Sequence, residues 1–261
     1  MKKLSLASIF IFLVAALFPL SVIVNGNVGQ NASQTLTADL IQLPNPRYDS
    51  GTSVEKAMNS RRSVRSYADE PLSLSDISQM LWAAQGITKR TDTLPSKWNP
   101  KYEWQGGYRT APSAGALYAM EVYVLAGKVN GLSNGVYRYL PKTHSLKRVF
   151  GEDKRTEVYK VALQQSSIKD APAVLVMAGV YERASYKYGD RAERYVHMET
   201  GFVGENVYLQ AAALGIGTVM IGAFQDEGVK TVLALPKDEF PLAIMPLGKI
   251  PTSRPPQEPG K

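Results

Sequence analysis

Three arginines and a serine fall within five residues at Arg61-Arg62-Ser63-Val64-Arg65. Guanidinium groups are always charged and donate hydrogen bonds in a fork, and a serine hydroxyl adds a further donor, so the cluster suits a phosphate. It also reads as a solvated basic turn, the usual fate of a charge run. Three other segments bear on the choice. Ala111-Pro112-Ser113-Ala114-Gly115-Ala116-Leu117-Tyr118 is built of small residues, which let a flat ring approach the backbone closely. Ala213-Leu214-Gly215-Ile216-Gly217-Thr218-Val219-Met220-Ile221-Gly222 joins an apolar helical pattern to a strand pattern through glycines. Ile250-Pro251-Thr252-Ser253-Arg254 brings one more arginine near the end.

Composition removes several other chemistries. The chain has no cysteine, which excludes disulfides, thiolate metal sites and a cysteine nucleophile. Its two histidines, His144 and His197, lie in different segments without ligand spacing, so no metal site is expected. His197 and Glu199 are two residues apart, point to different faces of a helix and do not form a catalytic pair by spacing. The net charge of +7 is spread without a long basic run, which argues against a nucleic-acid partner.

The elements that must position these residues read as α+β, one sheet flanked by helices. Val54, Ala57 and Met58 give a short helical face ending at the arginines. Ser73 to Asp76 fits a capping box, followed by Ile77, Met80, Leu81 and Ala84 at helical spacing and Gly86 as a stop. Thr88–Thr110, rich in Trp, Tyr, Lys and Gly, reads as a long loop or lid. Residues 121–126, 135–139, 173–178, 218–221 and 242–250 read as strands. Helices are expected over 156–165, 191–214 and 226–235. Gly201 and Gly204 in the long helix suggest close packing against another helix.

In their order and spacing the four segments resemble the nitroreductase family of FMN enzymes, from about Ser53 to Arg254. The resemblance implies a mostly antiparallel sheet flanked by helices in a domain-entwined homodimer. It implies that Arg61, Arg62, Ser63, Arg65 and Arg254 hold the FMN phosphate and the polar edge of the ring. Pro112, Ser113, Ala114, Gly115 and Ala116 would lie by the flavin in the dimer, and Met220, Ile221, Gly222 and Ala223 along the other side of the ring. Two departures count against direct reduction by NAD(P)H: Ala116 stands where many members have asparagine, and Gly222 where some have glutamate. Together with Tyr186-Lys187-Tyr188-Gly189-Asp190-Arg191 ahead of the long helix, they resemble the SagB-type dehydrogenases, which oxidise azolines to azoles in modified peptides. Lys187 and Tyr188 then map to the catalytic pair, a base beside the flavin taking a proton while hydride leaves. The alternative is that both are ordinary residues leading into a helix, and that the chain is a flavin-binding or flavin-storing module of the cell envelope without turnover.

The N-terminus suggests where this happens. Lys2 and Lys3 precede a charge-free stretch from Leu4 to Val24, which reads as a signal peptide or a retained membrane anchor. No Lys or Arg follows until Arg47, so the positive-inside rule puts the domain outside the cytoplasm. Residues 25–52 then read as a polar linker, with a sequon at Asn31-Ala32-Ser33. Residues 53–254 form the folded domain and 255–261 a proline-rich tail.

Overall fold

The computed structural model describes residues 40–252. The leader, the sequon, Arg254 and the proline-rich tail lie outside the described residues. In chain order the elements are β1 (Leu40–Gln42), α1 (Val54–Ser60), β2 (Leu72–Ser73), α2 (Leu74–Gln85), β3 (Ile87–Arg90), β4 (Gly107–Arg109), β5 (Met120–Ala126), β6 (Val129–Asn130), β7 (Gly135–Leu140), β8 (Ser145–Phe150), α3 (Arg155–Val161), α4 (Ser166–Asp170), β9 (Ala173–Gly179), α5 (Tyr181–Tyr188), α6 (Ala192–Leu214), β10 (Ile216–Thr218), α7 (Asp226–Val232) and β11 (Phe240–Lys249). Seven strands form one sheet in the order β1-β8-β7-β5-β9-β11-β10, with every neighbouring pair antiparallel.

The central strands β5 and β9 are buried along their whole length because the sheet is covered on both faces. Side chains alternate across a strand. Accordingly Val122, Val124, Leu175 and Met177 pack with Ile77, Met80 and Leu81 of α2 and Val203 and Val207 of α6. Tyr123, Leu125, Val174 and Val176 pack on the opposite face with Val158 of α3, Ile168 of α4 and Val229 of α7. Helix α2 starts where the sequence places it. Ser73 Oγ accepts from the Asp76 amide, and Asp76 accepts from the Ser73 amide, a box worth about 1 kcal/mol.

Several expectations are corrected. The polar stretch is not a tether through residue 52: Leu40–Gln42 pairs with β8, Leu43 is buried, and Gln79 exchanges two hydrogen bonds with the Arg47 backbone. A three-residue edge strand is too short for its periodicity to stand out from polar neighbours. Strand β8 was not anticipated, since Lys147 and Arg148 interrupt its apolar pattern. The loop at 88–110 begins and ends as a two-stranded antiparallel ribbon of β3 and β4. The helix expected over 156–165 stops at Val161, and Leu163 and Gln164 take positive φ before α4. The strand expected at 218–221 is Ile216–Thr218, with Ile221 making one further bridge to Ile244. Gly204 faces the Met220 side chain, 2.9 Å from where a Cβ would stand, rather than another helix, and Gly201 faces open space. No helix among the described residues is long and apolar enough to cross a membrane.

Candidate active site

The arginine segment leaves α1 and runs beside β10. Val64 donates its amide to Thr218 O at 2.8 Å, and Ser63 bridges Thr218 in parallel register. Tyr208 on α6 ties this pair to the following turn: its hydroxyl lies 3.2 Å from Ser63 Oγ and accepts the Met220 amide at 2.7 Å. The Arg61 guanidinium stacks 5.1 Å above the Tyr208 ring. Arg62 Nη1 donates to the carbonyls of Asn59 and Arg61, and Arg62 and Arg65 are exposed. Among the described residues Arg61, Arg62 and Arg65 form no ion pair with a carboxylate. Thr218 lines a small cavity with Arg61, Arg62 and Tyr208, and its hydroxyl is buried with no partner among the described residues. Guanidinium donors lacking acids, beside an orphaned hydroxyl, fit a phosphate monoester.

The small-residue segment forms a single 3-10 turn, Ala114–Ala116, entered through Ser113. It is bent sharply: Gly115, Ala116 and Tyr118 take φ of 63°, 55° and 47°. Positive φ at Ala116 and Tyr118 is a region L side chains rarely adopt, and it persists where surroundings enforce it. Lys187 and Tyr188 occupy the last turn of α5 rather than a loop, and they come to this turn. A Cβ at Gly115 would lie 2.6 Å from Tyr188 Oη and 2.9 Å from Lys187 Nζ, so both side-chain ends reach this turn, and the positive φ of Gly115 favours glycine there. Lys187 Nζ also sits over the Tyr188 ring, which packs edge-on against Tyr195.

Behind the turn lies a buried polar layer. Glu199 on α6 accepts a 2.5 Å hydrogen bond from Ser113 Oγ, which in turn accepts the Tyr118 amide at 2.8 Å. Burial pushes the Glu199 carboxyl above its usual range, against the opposing pull of Ser113 and Arg109. Arg109 donates to Gln85 and stacks on Tyr118, and its burial lowers its own proton affinity. Further in, Glu121 pairs with Arg183 at 2.7 Å and Arg138 at 3.2 Å, and Arg138 also reaches Glu239 at 3.1 Å. Burial alone would raise the Glu121 carboxyl, but the two guanidiniums outweigh it and hold it below the ordinary value.

The tip of the ribbon between β3 and β4 closes over this layer. Trp98 and Trp104 pack edge to face, and Trp104 lies 6.1 Å from the Tyr118 ring. Tyr102 donates to Asp238 at 2.7 Å, and Lys101 pairs with Glu182 on α5.

The anticipated residues therefore assemble in two groups along α6. Ser63, Arg61 and Met220 gather at Tyr208, and Ser113, Gly115, Lys187 and Tyr188 gather near Glu199. Tyr208 stands nine positions after Glu199, about 13 Å along the helix. Pro112, Gly222 and Ala223 are exposed, Ala114 and Ala116 are partly so, and nothing lies within 4 Å of where a Gly222 Cβ would stand. Ile221 differs from the expectation, since its side chain is buried in the core against Val229 and Ile244 and offers only backbone to a ligand. Sequence reasoning missed Tyr208 and gave Glu199 a packing or surface role. Glu199 stands four residues before Val203, which stands four before Val207, so an acid in register with a buried stripe was the available signal. His197 is exposed and bonds Tyr181, unpaired with Glu199 as expected.

Comparisons with known proteins agree with this architecture. The profile of the nitroreductase family matches residues 58–249. A Methanocaldococcus jannaschii protein named as a nitroreductase, MJ1384, is 43% identical over 196 residues, covering 75% of this chain and 90% of its own. The crystal structure of a Ralstonia eutropha protein titled as a nitroreductase superposes with a TM-score of 0.67 at 27% identity, covering 82% of this chain and 91% of that one. The microcin B17-processing protein McbC of Escherichia coli is 28% identical over 148 residues, 54% of each chain. Proteins of this family generally bind FMN. The chain belongs to the nitroreductase family, and it is an oxidoreductase by that membership.

Proposed function

We propose that this protein is an FMN-dependent oxidoreductase of the SagB-dehydrogenase type, acting as a homodimer on a peptide or small molecule bearing an oxidisable ring. The observation that carries the reading is the meeting of Lys187 Nζ and Tyr188 Oη above Gly115, in the segment assigned to the flavin. A pure flavin store has no use for an amine and a phenol at that place. Bound FMN would supply two-electron hydride chemistry. Arg61, Arg62, Ser63 and Arg65, joined by Arg254, hold its phosphate, with Thr218 the orphaned donor beside them. Lys187, as the neutral amine, would take the ring proton of an azoline, with bound FMN supplying the hydride acceptor, and Tyr188 would orient it. The likeness to McbC supports a modified peptide as the substrate class.

Dimerisation has its own support. Met198 and Phe202 on α6 and Val54 and Met58 on α1 are exposed apolar side chains, and Gly201 opens a flat spot between the first two. A second copy covering this face would also bring the two residue groups along α6 to shared flavins. From the leader alone we place the action outside the cytoplasm.

The test is to purify the full chain, record its visible spectrum, and titrate it with FMN and FAD. Yellow protein preferring FMN, dimeric by sedimentation, is expected. Colourless protein that takes up no FMN refutes the reading.

A further inference from the structure

The turn from Pro112 to Tyr118 holds two non-glycine residues at positive φ, so its shape has to be imposed from outside. Three contacts impose it: the buried Arg183 guanidinium donates to the Tyr118 carbonyl, and two more act at the ends of the turn. At its far end the Arg109 amide donates to Tyr118 Oη at 3.3 Å, under the stacked guanidinium of the same arginine. At its near end Ser113 Oγ receives the Tyr118 amide, which closes the turn, and passes its own proton toward Glu199 Oε2. Of the two end contacts the second is the shorter, and its acceptor, Glu199, is 3% exposed on α6. Among the described residues Glu199 forms no ion pair within 4 Å, so its carboxyl is not directly paired with Arg109 or Arg183. It accepts from the serine that closes the turn, and the backbone of Ala119, just past the turn, also favours its ionised form.

We propose that Glu199 is a positioning residue for the redox site: by gripping Ser113 it fixes the Pro112–Tyr118 turn against which Lys187 and Tyr188 rest. This rests on the reading that the turn lies beside FMN. Among the described residues no hydrogen bond or ion pair joins Glu199 to Lys187 or Tyr188. It acts by its shape and hydrogen bonding, chiefly to Ser113, whereas a mainly electrostatic role would require its charge.

The experiment uses the full chain and four variants, Glu199→Ala, Glu199→Gln, Ser113→Ala and the double variant Glu199→Ala/Ser113→Ala. Folding is checked by urea unfolding. FMN affinity is read by fluorescence titration, and the ring's surroundings by visible circular dichroism of the bound flavin. Loss of one hydrogen bond in the chain should weaken FMN roughly 3- to 10-fold in either alanine variant and alter the dichroism in the same way. The double variant should be no worse than the singles, because they break one linkage. Glu199→Gln, which keeps the shape and a hydrogen bond to Ser113 without the charge, should return both readings to within about twofold of wild type.

A folded Glu199→Ala or Ser113→Ala protein with wild-type affinity and dichroism overturns the proposal, as does a double variant whose losses multiply. If Glu199→Ala does not fold, Ser113→Ala and Glu199→Gln decide it by the same criteria. A wild-type chain that binds no flavin overturns the functional reading and this inference together, whereas yellow wild type with unaltered variants overturns this inference alone.

Discussion

Two groups of arginines in this molecule have opposite surroundings. Arg183 lies in the interior and Arg138 is partly buried beside it; both share Glu121, and Arg138 also pairs with Glu239. Arg61, Arg62 and Arg65 crowd one turn, and no carboxylate pairs with any of them among the described residues. A guanidinium out of water needs compensation where it stands, from carboxylates at Arg183 and Arg138 and from Gln85 and the Tyr118 ring at Arg109, because an uncompensated interior charge costs several kcal/mol. A cluster at the surface can be left uncompensated, and it is then available to an anion from outside. The interior set serves stability, and the proposed function assigns the surface set to binding, although the residue type is the same.

The sharpest way to break this contrast is to remove one partner from each set. Arg183→Met leaves Glu121 with Arg138 alone in the interior and should lower the unfolding free energy by about 3–5 kcal/mol. The comparable surface change, Arg62→Ala, should stay within about 0.5 kcal/mol of wild type. Urea titration of the flavin-free proteins checks both. If Arg183→Met is as stable as Arg62→Ala, the interior pairs are solvated and the contrast is false.

The next largest effect concerns chemistry. Lys187→Ala should slow turnover roughly 100-fold or more while leaving FMN affinity nearly unchanged, because proton transfer acts on the transition state. Turnover with any donor–acceptor pair the wild type uses, measured at saturating flavin, tests it. Normal turnover would withdraw the azoline-oxidising assignment and leave the general flavoenzyme reading.

Arg62→Ala then returns with a smaller effect on binding. A charge-assisted hydrogen bond is worth about 1.5–3 kcal/mol, so FMN should bind roughly 10- to 150-fold more weakly. Because the stability of the same variant is unchanged, the loss cannot be attributed to misfolding. Equal affinity in the two proteins would make the cluster the solvated basic turn that the sequence also allows.

How much was legible follows from the range over which each signal acts. The capping box at Ser73, the stop at Gly86 and the long helix to Leu214 are local, written within a few residues, and they stand as expected. The apolar runs of β5 and β9 announced strands because both faces of the sheet are covered. What escaped depends on partners far along the chain. Leu40–Gln42 is a strand only because Ser145–Lys147 lies beside it, and Tyr208 matters only through Ser63 and Met220. Lys187 and Tyr188 looked like a loop since Tyr186, Lys187 and Tyr188 show no apolar period, although the helix they end is held by Ala184 and the buried Arg183. The segments of the site were therefore readable as motifs, while their convergence on α6 was not.

The smallest effect falls between the two arginine sets, at Glu199. Its carboxyl is raised by burial, in spite of Ser113 and the nearby Arg109 and Arg183. A raised folded-state value means the native protein holds this proton more tightly than the unfolded chain, whose glutamates titrate at about 4.3. The stabilisation is then fully present below that value and is lost as pH rises through the folded-state value. Glu199→Gln cannot titrate, so the difference in stability, wild type minus variant, should decline as pH rises from about 4.5, with a slope of at most about 1.4 kcal/mol per pH unit. Glu239, also raised by burial, and Glu121, held low by its arginines, are present in both proteins and largely cancel in the difference. Urea unfolding at half-unit steps from pH 4 to 8 measures it. A difference that grows with pH would mean Glu199 is held ionised by Arg109, which would place it with the paired interior charges; a declining one leaves it an uncharged grip on Ser113.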